Sequence, residues 1–132
     1  MPLPEHLSTD HARGFIPGEP IAQYELGSMR NFVYLVVDGK TKEAAIVDTQ
    51  KDLRPIRDRE GNGYRLGSIV LTHTHPDHVS GIAPLLVERP DLPVYVHADD
   101  AFRLRSVPRR NLRFVRDGDR IRIGEVELEA IH

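Results

Sequence analysis

The chain has 132 residues, a formal charge of -2 from 18 Lys plus Arg against 20 Asp plus Glu, and no cysteine. That length suits one ordinary domain with a modest core. The charge balance excludes a global positive field for nucleic acid or anionic lipid, and the missing thiols exclude disulfides, thiolate metal sites and a Cys nucleophile, so any metal must be held by His or carboxylate.

The first twenty residues carry Pro2, Pro4, Pro17 and Pro20 without apolar periodicity and read as an extended arm, with the domain running from Ile21 to His132. Met1 to Gly14 lacks the apolar stretch of a secretory signal or anchor, and Phe32 to Val37, the longest apolar run, is far too short to span a bilayer; a cytoplasmic protein is expected. Phe32 to Val37 and Ala44 to Val47, separated by Asp38-Gly39, predict an antiparallel hairpin, apolar on both parities and so buried on both faces. Residues 50 to 59 are weakly helical, with Pro55 as an interruption and Gly61 and Gly63 as the stop. Ile69 to Leu71 predicts a strand, Thr72 to His78 a loop, and Ile82, Leu85 and Leu86 a helix.

After Pro93 comes a short strand, Val94 to Val96, and Asp99 is placed to cap a short helix ending before Pro108. The remainder reads as strands: Arg113 to Val115, a turn at Asp117-Gly118, Ile121 and Ile123 alternating with arginines, a turn at Gly124-Glu125, and Val126, Leu128 and Ala130 alternating with Glu127, Glu129 and Ile131. This order predicts an α/β protein, a sheet covered by helices. By the same alternation His132 shares the core-directed face of Val126, Leu128 and Ala130.

The window His73-Thr74-His75-Pro76-Asp77-His78 holds three of the seven histidines and one carboxylate. Imidazoles at i and i+2 of an extended segment project to one side and can reach one cation, while Asp77 and His78 serve a second cation or orient the rings around the first. Three clustered imidazoles without a metal would repel one another on protonation, which disfavours a merely polar loop. Imidazole and carboxylate donors without sulfur point first to Zn²⁺, with Fe and Mn as alternatives.

The pattern His73-x-His75-x-Asp77-His78 after an apolar strand resembles the metallo-β-lactamase superfamily motif. Supporting elements are the hairpin ending at Asp48, the Asp77-His78-Val79-Ser80-Gly81 run into a helix, and the closing strand ending in His132. The resemblance implies a mixed sheet with helices on one face, the first half of an αββα sandwich, and makes the chain a partial form of a longer enzyme. It implies metal ligation by His73, His75 and His132 at a first site and by Asp77 and His78 at a second, two zinc ions in the complete domain, and Asp77 as the catalytic carboxylate. The implied chemistry is attack of a metal-bound hydroxide on a thioester, ester or amide carbonyl of a small-molecule substrate.

The Asn31-Phe32-Val33-Tyr34 strand start resembles glyoxalase II-type thioester hydrolases. Alternatives are a mononuclear iron persulfide dioxygenase, a nuclease, and a non-catalytic half-domain that dimerises or pairs with a missing C-terminal half. Arg103, Arg105, Arg109, Arg110, Arg113 and Arg116 form a local basic stretch, read as a solvated face; nucleic acid is disfavoured as a partner, and a membrane is excluded. His97 is expected to be a hydrogen-bonded rather than a ligating histidine. Asp48 either orients a ligand or closes a turn.

Overall fold

The computed structural model describes residues 21–26, 31–50, 52–72, 74 and 79–130. The arm expected over residues 1–20 lies outside them. Strands β2 (Asn31–Asp38) and β3 (Glu43–Val47) form the expected antiparallel hairpin, with Tyr34 opposite Val47 and Val37 opposite Ala44. A strand that the sequence reading leaves unassigned, β1 (Ile21–Leu26), pairs antiparallel with β2. Beyond β3 the sheet continues in parallel through β4 (Arg65–Val70), β5 (Val94–His97) and β6 (Leu112–Val115), giving six strands in sequence order. The sheet is therefore mixed, as expected. A second, two-stranded antiparallel sheet is formed by β7 (Arg120–Ile123) and β8 (Val126–Glu129).

Alternate residues of the central strands enter two separate cores, which is the period of two expected for a sheet covered on both faces. Val33, Leu35, Ile46, Ile69, Val94 and Val96 pack on one side against Ile56 of helix α1 (Arg54–Gly61), Ile82 and Leu85 of helix α2 (Ile82–Glu88), and Leu104 and Val107. On the other side Val36, Ala45, Val47, Val70 and Val115 meet Ile121 and Ile123 of β7 and Val126 and Leu128 of β8. The helices thus lie on one face and the β7–β8 hairpin on part of the other. Among the described residues, no helix is long and apolar enough to cross a membrane.

Three local expectations are corrected. Pro55 does not interrupt α1 but lies in its first turn, where the missing N–H has no helical partner to lose. Strand β4 begins at Arg65, well before the apolar run at Ile69, because Arg65 and Leu66 already pair with β3 across a register shift beside Gly67. Asp99 is not a cap: the His97 Nδ1 accepts the backbone N–H of Asp99 at 3.1 Å and starts a 3-10 turn, Ala98–Arg103, that ends well short of Pro108.

Two buried polar side chains brace the helical face. Arg59, 4% exposed, donates from Nη2 to the Tyr24 hydroxyl at 2.8 Å, and burial pushes the Tyr24 pKa up. Asn111 donates from Nδ2 to the carbonyls of Pro90 and Leu92 at 2.7 and 2.8 Å.

On the opposite face, carboxylates tie the β7–β8 turn to the β2–β3 turn. Asp38 accepts from the backbone N–H of Glu125 (2.7 Å) and of Lys40 (3.0 Å) and from the Thr41 hydroxyl (3.0 Å), while Glu43 accepts from the backbone N–H of Gly124. The Glu125 and Lys40 N–H groups hold the Asp38 carboxyl below its ordinary value. A depressed folded pKa contributes stability that is complete above the unfolded value of about 3.9 and is lost as pH falls through the folded one. The urea midpoint is expected to drop below about pH 4 in the native chain and to be lower but flatter with pH in Asp38→Asn. Parallel pH profiles of the two proteins would show that this clamp contributes nothing.

Candidate metal centre

The segment expected to carry the ligands leaves the sheet at the end of β4, which is buried between β3 and β5. There the Asp48 N–H donates to the Val70 carbonyl at 2.7 Å and the Leu71 N–H to the Tyr95 carbonyl at 2.9 Å. Asp48 is 3% exposed and sits in the left-handed region at φ 63°, a conformation Asp tolerates better than most residues. Its carboxylate takes both donors of Thr72: the backbone N–H at 2.8 Å on Oδ1 and the hydroxyl at 2.6 Å on Oδ2. The residue immediately before His73 is therefore fixed by a charge-assisted two-point bond. Asp48 thereby anchors Thr72, the residue before His73; the histidine whose orientation was one of its two expected roles lies outside the described residues.

The far end of the loop is held by the same segment. Thr49, fully buried, forms a parallel bridge with Val79 and accepts the Gly81 N–H on its hydroxyl at 3.1 Å. A Cβ at Gly81 would lie 2.3 Å from the Gln50 carbonyl oxygen and 2.9 Å from the Thr49 Cβ, so only glycine permits this approach. Residues 48–50 thus clamp both Thr72 and Val79–Gly81. Thr74 is packed into the protein at 6% exposure. Sequence reasoning found Asp48 and placed Gly81 at the helix start but missed Thr49 and the contact between them; the available signal was a hydroxyl after the strand.

His73, His75, Asp77, His78 and His132 all lie outside the described residues. The described residues before His73 and before His132, however, line one cleft. This cleft of about 510 Å³ is lined by Leu71 and Thr72, which lead into His73, by Glu129 and Ala130, which lead into His132, and by Tyr34, His97 and the apolar side chains of the inner sheet face. Residue 130 is held by a pair of backbone bonds, Ala130 N–H to Asp119 and Gly118 N–H to Ala130, both 2.7 Å. His97 contributes an imidazole whose Nδ1 is engaged by the Asp99 N–H, consistent with the hydrogen-bonded role expected for it. Among the described residues no three His or carboxylate side chains gather as metal ligands.

The profile of the metallo-beta-lactamase superfamily matches residues 27–132. The chain belongs to that superfamily. It is 38% identical over 98 residues to a hydroxyacylglutathione hydrolase of Jannaschia sp. and 36% identical over 98 residues to one of Synechocystis sp., in each case covering 74% of this chain and 36% of the relative. A metallo-beta-lactamase from Staphylococcus aureus superposes with a TM-score of 0.72 at 28% identity, over 85% of this chain and 33% of that one. The chain spans about a third of the length of these curated relatives. As a superfamily member, the chain has hydrolases among its homologues, and its six-stranded mixed sheet is the part of the fold it shares with them.

Proposed function

We propose that this chain carries the metal-binding part of a glyoxalase II-like hydrolase acting on a small-molecule thioester. The observation that supports this most is the cleft, whose walls are the two segments leading into the candidate ligands. The donor set fits a divalent cation: three imidazoles and one carboxylate on a loop clamped at both ends, a fourth imidazole from His132, and no sulfur. His73, His75 and His132 would hold one zinc ion and Asp77 and His78 a second, as in the complete domain. Bound there, the metal supplies Lewis acidity and lowers the pKa of a coordinated water toward about 7. Asp77 would orient the attacking water or accept its proton. Val36, Val47, Val70 and Leu128 give the cleft apolar walls that suit the acyl part of a substrate. The same walls support pairing with the remaining part of the domain, since a cleft this apolar is poorly placed in water.

The test is metal content together with thioester hydrolysis, followed on an S-hydroxyacyl glutathione in both the 132-residue chain and the full-length protein. Two zinc ions per full-length chain and hydrolysis lost in His75→Ala are expected. One iron per chain, with oxygen uptake and no thioester turnover, would replace the hydrolase reading with the dioxygenase one. Retention of full metal content in a His73→Ala, His75→Ala double variant would remove the metal centre from the loop altogether.

A further inference from the structure

Residues 102–116 hold six arginines and no acidic residue in a chain whose net charge is -2. All six are exposed. Elsewhere four arginines meet carboxylates, while Arg65 and Arg122 are exposed without such a pair among the described residues: Arg54 meets Asp52, Arg57 meets Glu88, Arg89 lies 3.9 Å from Glu60 and Arg120 lies 3.1 Å from Glu127. Among the described residues, none of Arg103, Arg105, Arg109, Arg110, Arg113 and Arg116 has such a partner. Four acids flank the segment, Asp99, Asp100, Asp117 and Asp119, and they offset its charge only in part. Asp119 accepts the backbone N–H of Arg116 at 2.8 Å, and an Asp99 carboxylate oxygen lies 3.8 Å from the His97 Nδ1. Six like charges this close in sequence repel one another, and a polyanion would relieve that repulsion.

Two phenyl rings are exposed in the same segment, Phe114 on the face of β6 opposite to that of Arg113. Phe102 is 65% and Phe114 52% exposed, and the Arg103 guanidinium lies 5.3 Å over the Phe102 ring centroid. The backbone presenting them is firmly seated. Leu104, Val107 and Asn111 are buried, the 3-10 turn packs on β5 and β6, and Arg113 Nη1 donates to the carbonyls of Arg110 and Leu112 at 2.7 and 3.0 Å. Strand β6 is the edge of the six-stranded sheet.

We propose that segment 102–116 is a docking surface for a single-stranded nucleic acid. Planar guanidiniums match phosphate oxygens in bidentate geometry, and exposed aromatic rings offer every base a stacking face. A lipid surface fits less well, because the segment contains only 3-10 turns and an edge strand and no amphipathic helix to lie among headgroups. Sequence alone favoured a solvated face; the missing carboxylate partners and the exposure of both rings are what the structure adds. None of the six arginines and neither phenyl ring lines the cleft.

The experiment is fluorescence anisotropy with a labelled oligothymidylate of roughly 12 nucleotides on the intact chain across a salt series. Binding is expected to weaken with salt at a log–log slope of about -0.7 per phosphate engaged, and Arg105→Ala, Arg109→Ala, Arg110→Ala together should cut the slope by about 2. Phe102→Ala and Phe114→Ala should each weaken binding about tenfold at unchanged slope. These side chains are exposed, and an unaltered thermal midpoint confirms that the variants fold. No binding at low salt would overturn the proposal. So would affinity insensitive to either set of substitutions, a polyphosphate that competes as well as the oligonucleotide, or tighter binding to phosphatidylglycerol vesicles.

Discussion

Gly81→Ala is expected to destabilise the chain by about 3 kcal/mol or more, because the added methyl has no void to enter and must displace backbone rather than a flexible side-chain tip. The Cβ would stand 2.3 Å from the Gln50 carbonyl oxygen and 2.9 Å from the buried Thr49 Cβ. To relieve the overlap, α2 and segment 48–50 must separate, which also stretches the bond from the Gly81 N–H to the Thr49 hydroxyl. The cost therefore combines overpacking with a weakened buried hydrogen bond. Gly39→Ala is the control. Nothing lies within 4 Å of a Cβ there, so its urea midpoint should stay within the small range of an ordinary surface substitution. Equal midpoints for the two variants would mean that the loop clamp is not packed as described. Zinc uptake by the surviving folded fraction of Gly81→Ala should also fall, since the far end of the histidine loop would have shifted.

The sequence reading located elements where hydrophobic period and turn chemistry agreed. The hairpin around Asp38-Gly39, the strand at Val94, the helix from Ile82 and the closing β7–β8 pair all follow from apolar runs bounded by Asp-Gly, Pro or Gly-Glu. It failed where long-range pairing overrode local signal. Strand β1 alternates Ala22 and Tyr24 with Gln23 and Glu25, a pattern present in the sequence but shadowed by the proline-rich arm before it. The start of β4 is invisible locally because Arg65, Gly67 and Ser68 are not apolar; their pairing with β3 places them in the sheet. Asp99 was a reasonable cap by residue type, yet His97 takes the role because an extended backbone at φ -62° and ψ 137° presents its Nδ1 to the first free N–H of the turn.

The candidate site was legible in a different way. The clustering of His73, His75, Asp77 and His78 is a property of composition and spacing, so it needs no tertiary information. What the sequence could not express is how residues 48–50, some 25 positions earlier, hold both ends of that loop, or that Thr72 and Ala130 would line one cleft. Convergence of this kind depends on the parallel order of β3, β4 and β5 and on the hairpin folding back over them.

Asp48→Ala should weaken metal binding by roughly 10- to 100-fold, the range seen when a group that orients a ligand is removed. The argument rests on geometry at Thr72. Its N–H and hydroxyl both end on the Asp48 carboxylate, at 2.8 and 2.6 Å, and His73 is the next residue. Removing the carboxylate leaves a part-buried N–H to find water, at a cost of about 1 to 3 kcal/mol, and it puts alanine at a φ of 63° that a Cβ-bearing residue adopts only with strain. Two further variants separate positioning from stability. In Asp48→Asn the amide oxygen still accepts the Thr72 N–H, and the hydroxyl can rotate to accept from the amide nitrogen, so most of the metal affinity should survive. Thr72→Val keeps the backbone bond and loses only the hydroxyl bond, costing about 1 kcal/mol of stability with little change in affinity. Competition of each protein against a chromophoric chelator for zinc, alongside its urea midpoint, gives both quantities. If affinity tracked the midpoint across all three variants, Asp48 would be a structural residue only. A drop in affinity confined to Asp48→Ala, beyond what its lost stability explains, would identify the carboxylate as the group that aims the histidine loop.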